Sequence, residues 1–119
     1  MMKYMLLLYS DPSLGPAPDS PEGQAEFGAW MGFTQELGAS GALISGEALH
    51  PKEATSQVRV RDGRTITADG PFAETKEVLG GFYLIEADDL DGAIKWAERV
   101  PNVHYGTVEI RPVVEFDQG

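Results

Sequence analysis

Apolar and polar residues follow two different periods along this chain, and the points where one period gives way to the other mark its elements. From Tyr4 to Tyr9 both alternating sets are apolar, Tyr4, Leu6 and Leu8 on one side and Met5, Leu7 and Tyr9 on the other. A strand with that pattern is buried on both faces and belongs in the centre of a sheet. Asp11 to Asp19 carries three prolines and a glycine, which excludes a regular element. Ser20-Pro21-Glu22 then supplies an N-cap, a proline at the first helical position and an early acid. Phe27, Trp30, Met31, Thr34 and Leu37 recur at helical spacing to about Ala39, with Gly41 suited to the C-terminal cap. Gly23, Gly28, Gly32 and Gly38 each weaken this helix by about 1 kcal/mol relative to alanine, so packing of its aromatic face has to hold it, with Trp30 and Phe33 expected in a core or an interface.

Ala42 to Leu49 reads as a second strand, in which Gly46 marks a bulge or a close approach, and His50-Pro51 ends it. Thr55 to Arg61 and Arg64 to Ala68 flank Asp62-Gly63, a strong hairpin signal. Val58 and Val60 alternate with Gln57, Arg59 and Arg61, which predicts one wet face. After Gly80-Gly81, Phe82 to Ala87 is again apolar on both sides and therefore central. Asp88 is read as the cap of a helix with the stripe Leu90, Ala93, Ile94, Ala97 and Val100, stopped by Pro101. A last strand is expected from Thr107 to Phe116, where Pro112 points to an edge or a bulge.

The order strand, helix, strand, hairpin, strand, helix, strand is an α+β arrangement related to the split βαβ, in one domain spanning 1–119. A chain of this length removes roughly two thirds of its unfolded surface from water, enough for a core of its own. Two helices cover one face of such a sheet. Because two strands are apolar on both sides, the other face needs a cover as well, and the economical one is the same face of a second copy. A homodimer is expected, with a ligand cavity between or beside the sheets.

Charge narrows the partners. Nine Lys and Arg against nineteen Asp and Glu leave a net charge of -10, which repels phosphate backbones and anionic lipid surfaces and disfavours direct nucleic-acid binding. No cysteine is present, so there is neither a disulfide framework nor a thiolate, in keeping with a cytoplasmic location. The apolar Met5 to Tyr9 is too short for a membrane span and lacks a small-residue cleavage site, so neither a span nor a secretory signal is expected.

The candidate chemistry gathers at Asp69-Gly70-Pro71-Phe72-Ala73-Glu74-Thr75-Lys76-Glu77. Pro71 fixes its own φ and biases Gly70 away from the helical region, so Asp69 ends its strand at a restricted corner. In a single turn Glu74 and Glu77 would share a face beside Lys76. Clustered carboxylates disfavour one another's ionisation, and such shifts suit acid and base work. Asp69 is the first candidate, with Glu74 and His50 as catalytic partners and Phe72, Lys76, Glu77, Glu47 and Tyr83 as ligand contacts. The plain alternative is a solvated acidic turn with exposed ion pairs worth well under ~1 kcal/mol. Glu47, His50, Asp69 and Glu74 show no metal-site spacing, and no phosphate cradle precedes a helix, so neither a metal nor a cofactor is expected.

Met2 to Leu6, Val58-Arg59-Val60, the nine residues from Asp69 to Glu77, Gly80-Gly81-Phe82-Tyr83 and Val108 to Pro112 together resemble the DGPF branch of the YCII-related proteins, over nearly the whole chain. The resemblance implies a ferredoxin-like subunit, with an antiparallel sheet and two helices on one face, pairing as a dimeric α/β barrel. It further implies a bacterial protein of unsettled activity, often encoded beside extracytoplasmic-function sigma factors. The wider family's proposed His and Asp pair has no counterpart: the first helix holds no histidine, and Pro101-Asn102-Val103-His104-Tyr105 lacks the aspartate. Two functions follow as expectations. In one, a small organic molecule binds near the DGPF turn with cofactor-free acid and base chemistry. In the other, a non-catalytic regulatory module contacts a protein partner linked to a sigma factor.

Overall fold

A computed structural model describes residues 1–70 and 76–116. Four strands make one antiparallel sheet: β1 (Met2–Ser10), β2 (Leu43–Ala48), β5 (Val78–Ala87) and β6 (Thr107–Pro112), in the order β2-β5-β1-β6. The two strands that read as apolar on both sides, β1 and β5, are the central pair. Two further strands, β3 (Ser56–Arg61) and β4 (Arg64–Asp69), form a separate hairpin between β2 and β5. Helices α1 (Pro21–Ala39) and α2 (Leu90–Ala97) complete a mixed α+β chain whose strand order is compatible with a ferredoxin-like subunit.

Local signals set the helix ends. Ser20 Oγ accepts a hydrogen bond from Gly23 N at 3.0 Å at the start of α1, and Gly41, at φ 84°, follows its last turn. The cap of α2 is Asp89 rather than Asp88: its carboxylate accepts from Gly92 N at 2.9 Å. Both acids offer the same chemistry, and only the one placed three residues before Gly92 reaches a free N–H of the first turn.

The core lies between the helices and one face of the sheet. Tyr4, Leu6 and Leu8 of β1, Tyr83, Ile85 and Ala87 of β5, Phe33 and Leu37 of α1, and Ala93, Ala97 and Val100 are buried together. The inward stripe of α1 therefore centres on Trp30, Phe33, Thr34 and Leu37. Phe27 and Met31, expected on that stripe, are 67% and 60% exposed. Helical spacing allows either set of positions, and the choice is made by where the sheet meets the helix. Leu90 and Ile94 of α2 are likewise exposed, at 50% and 36%, because a helix this short beside a sheet buries only its small alanines closely.

Three further features are local. Gly46 is a close-approach position: a Cβ there would lie 2.8 Å from Tyr83 Cδ1, while the irregularity of β2 falls between Leu43 and Ser45. Strand β5 begins at Val78, earlier than its apolar run indicates. Strand β6 stops at Pro112 at the sheet edge, where a proline without an N–H is tolerated; Val113 N still donates to Lys3 O at 2.9 Å, and Val114 and Phe116 beyond it are exposed.

The hairpin turns at Asp62-Gly63, both with positive φ (52° and 75°), as a two-residue hairpin requires. It stands off the sheet as an arm. Val58 and Val60 on one face and Ile66 on the other are 65%, 58% and 48% exposed, so both faces are open in the single chain, not one. The extents of 51 × 47 × 18 Å and a radius of gyration of 16.6 Å express the same geometry; a compact chain of this length would have a radius near ~13.5 Å.

Candidate functional site

A hollow of about 500 Å³ opens between α1 and the helix-side face of the sheet. Leu8, Gly46, Ala48, Gly81 and Tyr83 form its floor. Phe27, Trp30 and Thr34 of α1 form a wall, and Ser10, Asn102 and Tyr105 close one end. Its size lies within the range of small-molecule sites, as does its mixture of aromatic walls and a few polar groups.

Tyr83 and Tyr105 are each held by specific neighbours. Tyr83 is buried, and its hydroxyl shares a 2.6 Å hydrogen bond with Thr34 Oγ1. Its ring meets Phe33 edge-on at 5.4 Å, Phe33 meets Trp96 in the same manner at 6.2 Å, and the Arg99 guanidinium lies 4.8 Å above the Trp96 ring. Arg99 also pairs with Glu36 of α1, so a row of contacts runs from the surface to the cavity floor. Such a row fixes Tyr83 by packing on both sides.

Tyr105 donates its hydroxyl hydrogen to Glu26 Oε1 at 2.6 Å. Burial, together with the neighbouring carboxylate, holds its pKa well above the ordinary tyrosine value. The phenol therefore stays neutral and committed to Glu26. Glu26 itself borders a second hollow of about 390 Å³, beside the loop residues Pro16 and Pro18, that shares Phe27 and Trp30 with the first. The Tyr105–Glu26 bond stands where the two hollows meet.

Asn102 is the one buried polar residue among those described, at 5% exposure. It sits in the single turn Pro101–His104, which connects α2 to β6. The turn is pinned to its own exit: Gly106 N donates to the Asn102 backbone carbonyl at 2.7 Å. Asn102 Nδ2 reaches Tyr9 O at a long 3.5 Å, and Oδ1 has no hydrogen-bond partner. A buried amide oxygen without a donor is uncommon and costly.

Of the residues proposed from the sequence, the structure brings Tyr83 and Glu47 to this cavity. Glu47 is exposed and pairs in register with Phe82, on the sheet face opposite Tyr83. Asp69 is exposed at the end of β4 and accepts a 2.8 Å hydrogen bond from Ser56 Oγ, its partner across the hairpin base. Glu77, also exposed, accepts from Thr107 Oγ1 at 3.0 Å. His50 and Lys76 are exposed, and none of these four lines either hollow. Phe72 and Glu74, with the rest of 71–75, lie outside the described residues. Among those described, no three acidic or histidine side chains gather as a cation site. Among the described residues no helix is long and apolar enough to cross a membrane.

Sequence reasoning passed over Asn102, Tyr105, Thr34 and Glu26. The available signal was Asn102 with Tyr105 in the short connector after Pro101, two residues able to hydrogen-bond where the chain turns from helix to strand.

A two-layer α+β subunit with an aromatic hollow between helix and sheet is thus the class of protein this chain forms. The chain belongs to the YCII-related family, whose domain it matches over residues 2–117. It is also 35% identical over 120 residues to the Uncharacterized protein R00369 of Rhizobium meliloti (strain 1021), a match that covers 99% of this chain and 97% of that one.

Proposed function

We propose that this protein binds a small organic molecule in the hollow between α1 and the sheet. The observation that carries the reading is a hollow of about 500 Å³ walled by Leu8, Phe27, Trp30 and Tyr83, with Ser10, Thr34 and Tyr105 among its few polar groups. Apolar and aromatic walls with a few polar groups are the arrangement by which pockets bind and orient a ligand. Cofactor-free proton transfer in this cavity would have to use groups other than Asp69 and His50, which do not border it. The test is a thermal-shift screen of small organic molecules, repeated on Ala48→Phe, which fills the exposed mouth. A ligand at about 100 times its Kd adds about 2.7 kcal/mol to stability, a visible rise in midpoint. That rise is expected in the parent chain and absent in Ala48→Phe. A screen without hits, or hits that bind the filled variant equally well, would refute the reading.

The same proposal includes a second copy. Met5, Leu7, Phe82 and Leu84 lie side by side in register on the sheet face away from the helices, apolar and half-buried. Pairing with the same face of another chain would cover them. A regulatory, protein-binding role linked to a sigma factor draws on a different observation: Asp69, Lys76 and Glu77 are all exposed beside the projecting arm. A pull-down that captured a sigma factor, and lost it on Asp69→Ala with Glu77→Ala, would favour that role over ligand binding.

A further inference from the structure

We propose that the hairpin arm of β3 and β4 clasps a second copy of this chain, seating its face of Val58, Val60, Thr65 and Thr67 on that copy while its arginine face stays in water. This rests on the second copy proposed above and adds the element that holds it.

The pairing register sorts the arm into two unlike faces. Val58 stands opposite Thr67 and Val60 opposite Thr65, so one face carries four β-branched side chains without charge, closed at the root by the hydrogen bond from Ser56 to Asp69. Arg59 opposite Ile66 and Arg61 opposite Arg64 put three cations on the other face, and among the described residues none of the three forms an ion pair. The valine face has little against it. Strands β3 and β4 pack on each other and hardly on any other element of their own chain, and Val58 and Val60 are 65% and 58% exposed. A two-stranded ribbon alone in water is marginally stable and needs a further surface on its apolar face. Area and shape say what that surface is. The chain exposes 8440 Å², whereas a compact chain of 12.9 kDa exposes about 6,300 Å². The excess, about 2,100 Å², falls within the roughly 1,000 to 2,500 Å² that each subunit of a tightly paired homodimer buries. The chain is also only 18 Å deep in its thinnest direction, so the arm projects in the plane of the layers and does not fold back over its own sheet. A second copy laid on the strip of Met5, Leu7, Phe82 and Leu84 brings each overhanging arm onto the body of the other, and one two-fold axis covers strip and arms together. Two chains of net charge -10 approach at least cost through a surface without charge, which the valine face is.

The experiment measures self-association of the full chain by sedimentation equilibrium and reads hydrogen exchange of the arm in the same samples. In the parent chain the amides of β3 and β4 should exchange more slowly in the paired state than in diluted samples where single chains predominate. Val58→Glu with Val60→Glu should weaken association at least about a hundredfold, because each carboxylate would lose its water at the contact. Arg59→Gln with Arg61→Gln, on the outer face, should change it by less than about threefold. A glutamate pair that associates as tightly as the parent, or an arm whose exchange is the same in paired and single chains, overturns the clasp and leaves the sheet-to-sheet pairing in place. A parent chain that keeps a single mass at every concentration overturns the second copy and the clasp together. If the glutamate pair disturbs the fold, exchange of the parent arm still decides.

Discussion

Tyr83 shows how much one side chain can join. Its ring packs on Phe33, its hydroxyl bonds Thr34, and its edge lies against the bare backbone of Gly46, so it fixes helix, sheet and cavity floor together. Tyr83→Phe removes only the hydroxyl and should cost about 1 kcal/mol, measured by urea unfolding. Gly46→Ala should cost about 1–3 kcal/mol in the same assay, because the ring it would strike is held from behind by Phe33 and cannot yield freely. Tyr105 supplies a pH dependence. Its folded pKa is raised above the ordinary tyrosine value of 10.0, so the folded state holds the proton more tightly than the unfolded one. The resulting stabilisation is complete below pH 10 and is lost as pH rises past that value toward the folded pKa. Unfolding midpoints should therefore fall more steeply above pH 10 in the parent chain than in Tyr105→Phe. Tyr83 could be picked out from its place in a two-sided apolar strand. Asn102 could not, since nothing near it in sequence reveals that Tyr9, ninety-three positions away, lies beside its amide.

The elements divide into those held by local chemistry and those held by their neighbours. Helix α1 opens with a serine cap and a proline, and Ser20→Ala should cost about 1 kcal/mol. Its start and end were legible because caps depend on residues a few positions apart. Its buried face was not, because Phe27 and Phe33 are equally apolar and the sheet chooses between them. The hairpin illustrates the same division. Asp62-Gly63 specified the turn and the register from Ser56 opposite Asp69 to Arg61 opposite Arg64. Whether a face of the arm is covered depends on contacts that a turn cannot encode. Because Val58 and Val60 are exposed in the single chain, Val58→Ser with Val60→Ser should leave the monomer's unfolding midpoint within about 0.5 kcal/mol. A large loss confined to high protein concentration would mean that the arm packs on another chain.

The architecture as a whole is flat, with helices on one side of the sheet and an apolar strip on the other. If that strip pairs two copies, light scattering should return twice the 12.9 kDa chain mass, and Leu7→Glu should return the single mass with the helical content unchanged. Added salt should strengthen the association, since it screens repulsion between two chains of charge -10 while the apolar contact remains. An association that weakens with salt would point to ion pairs across the interface instead. The strand and helix order, the central places of β1 and β5 and the tight hairpin turn could all be read from the chain, because each follows from periodicity or from turn chemistry within a few residues. The hollow belongs to another category. Leu8, Trp30, Gly46, Tyr83, Asn102 and Tyr105 come from five separate segments, and the space among them exists only once those segments pack. A cavity is what side chains fail to fill after long-range contacts form, so no stretch of sequence can carry its pattern.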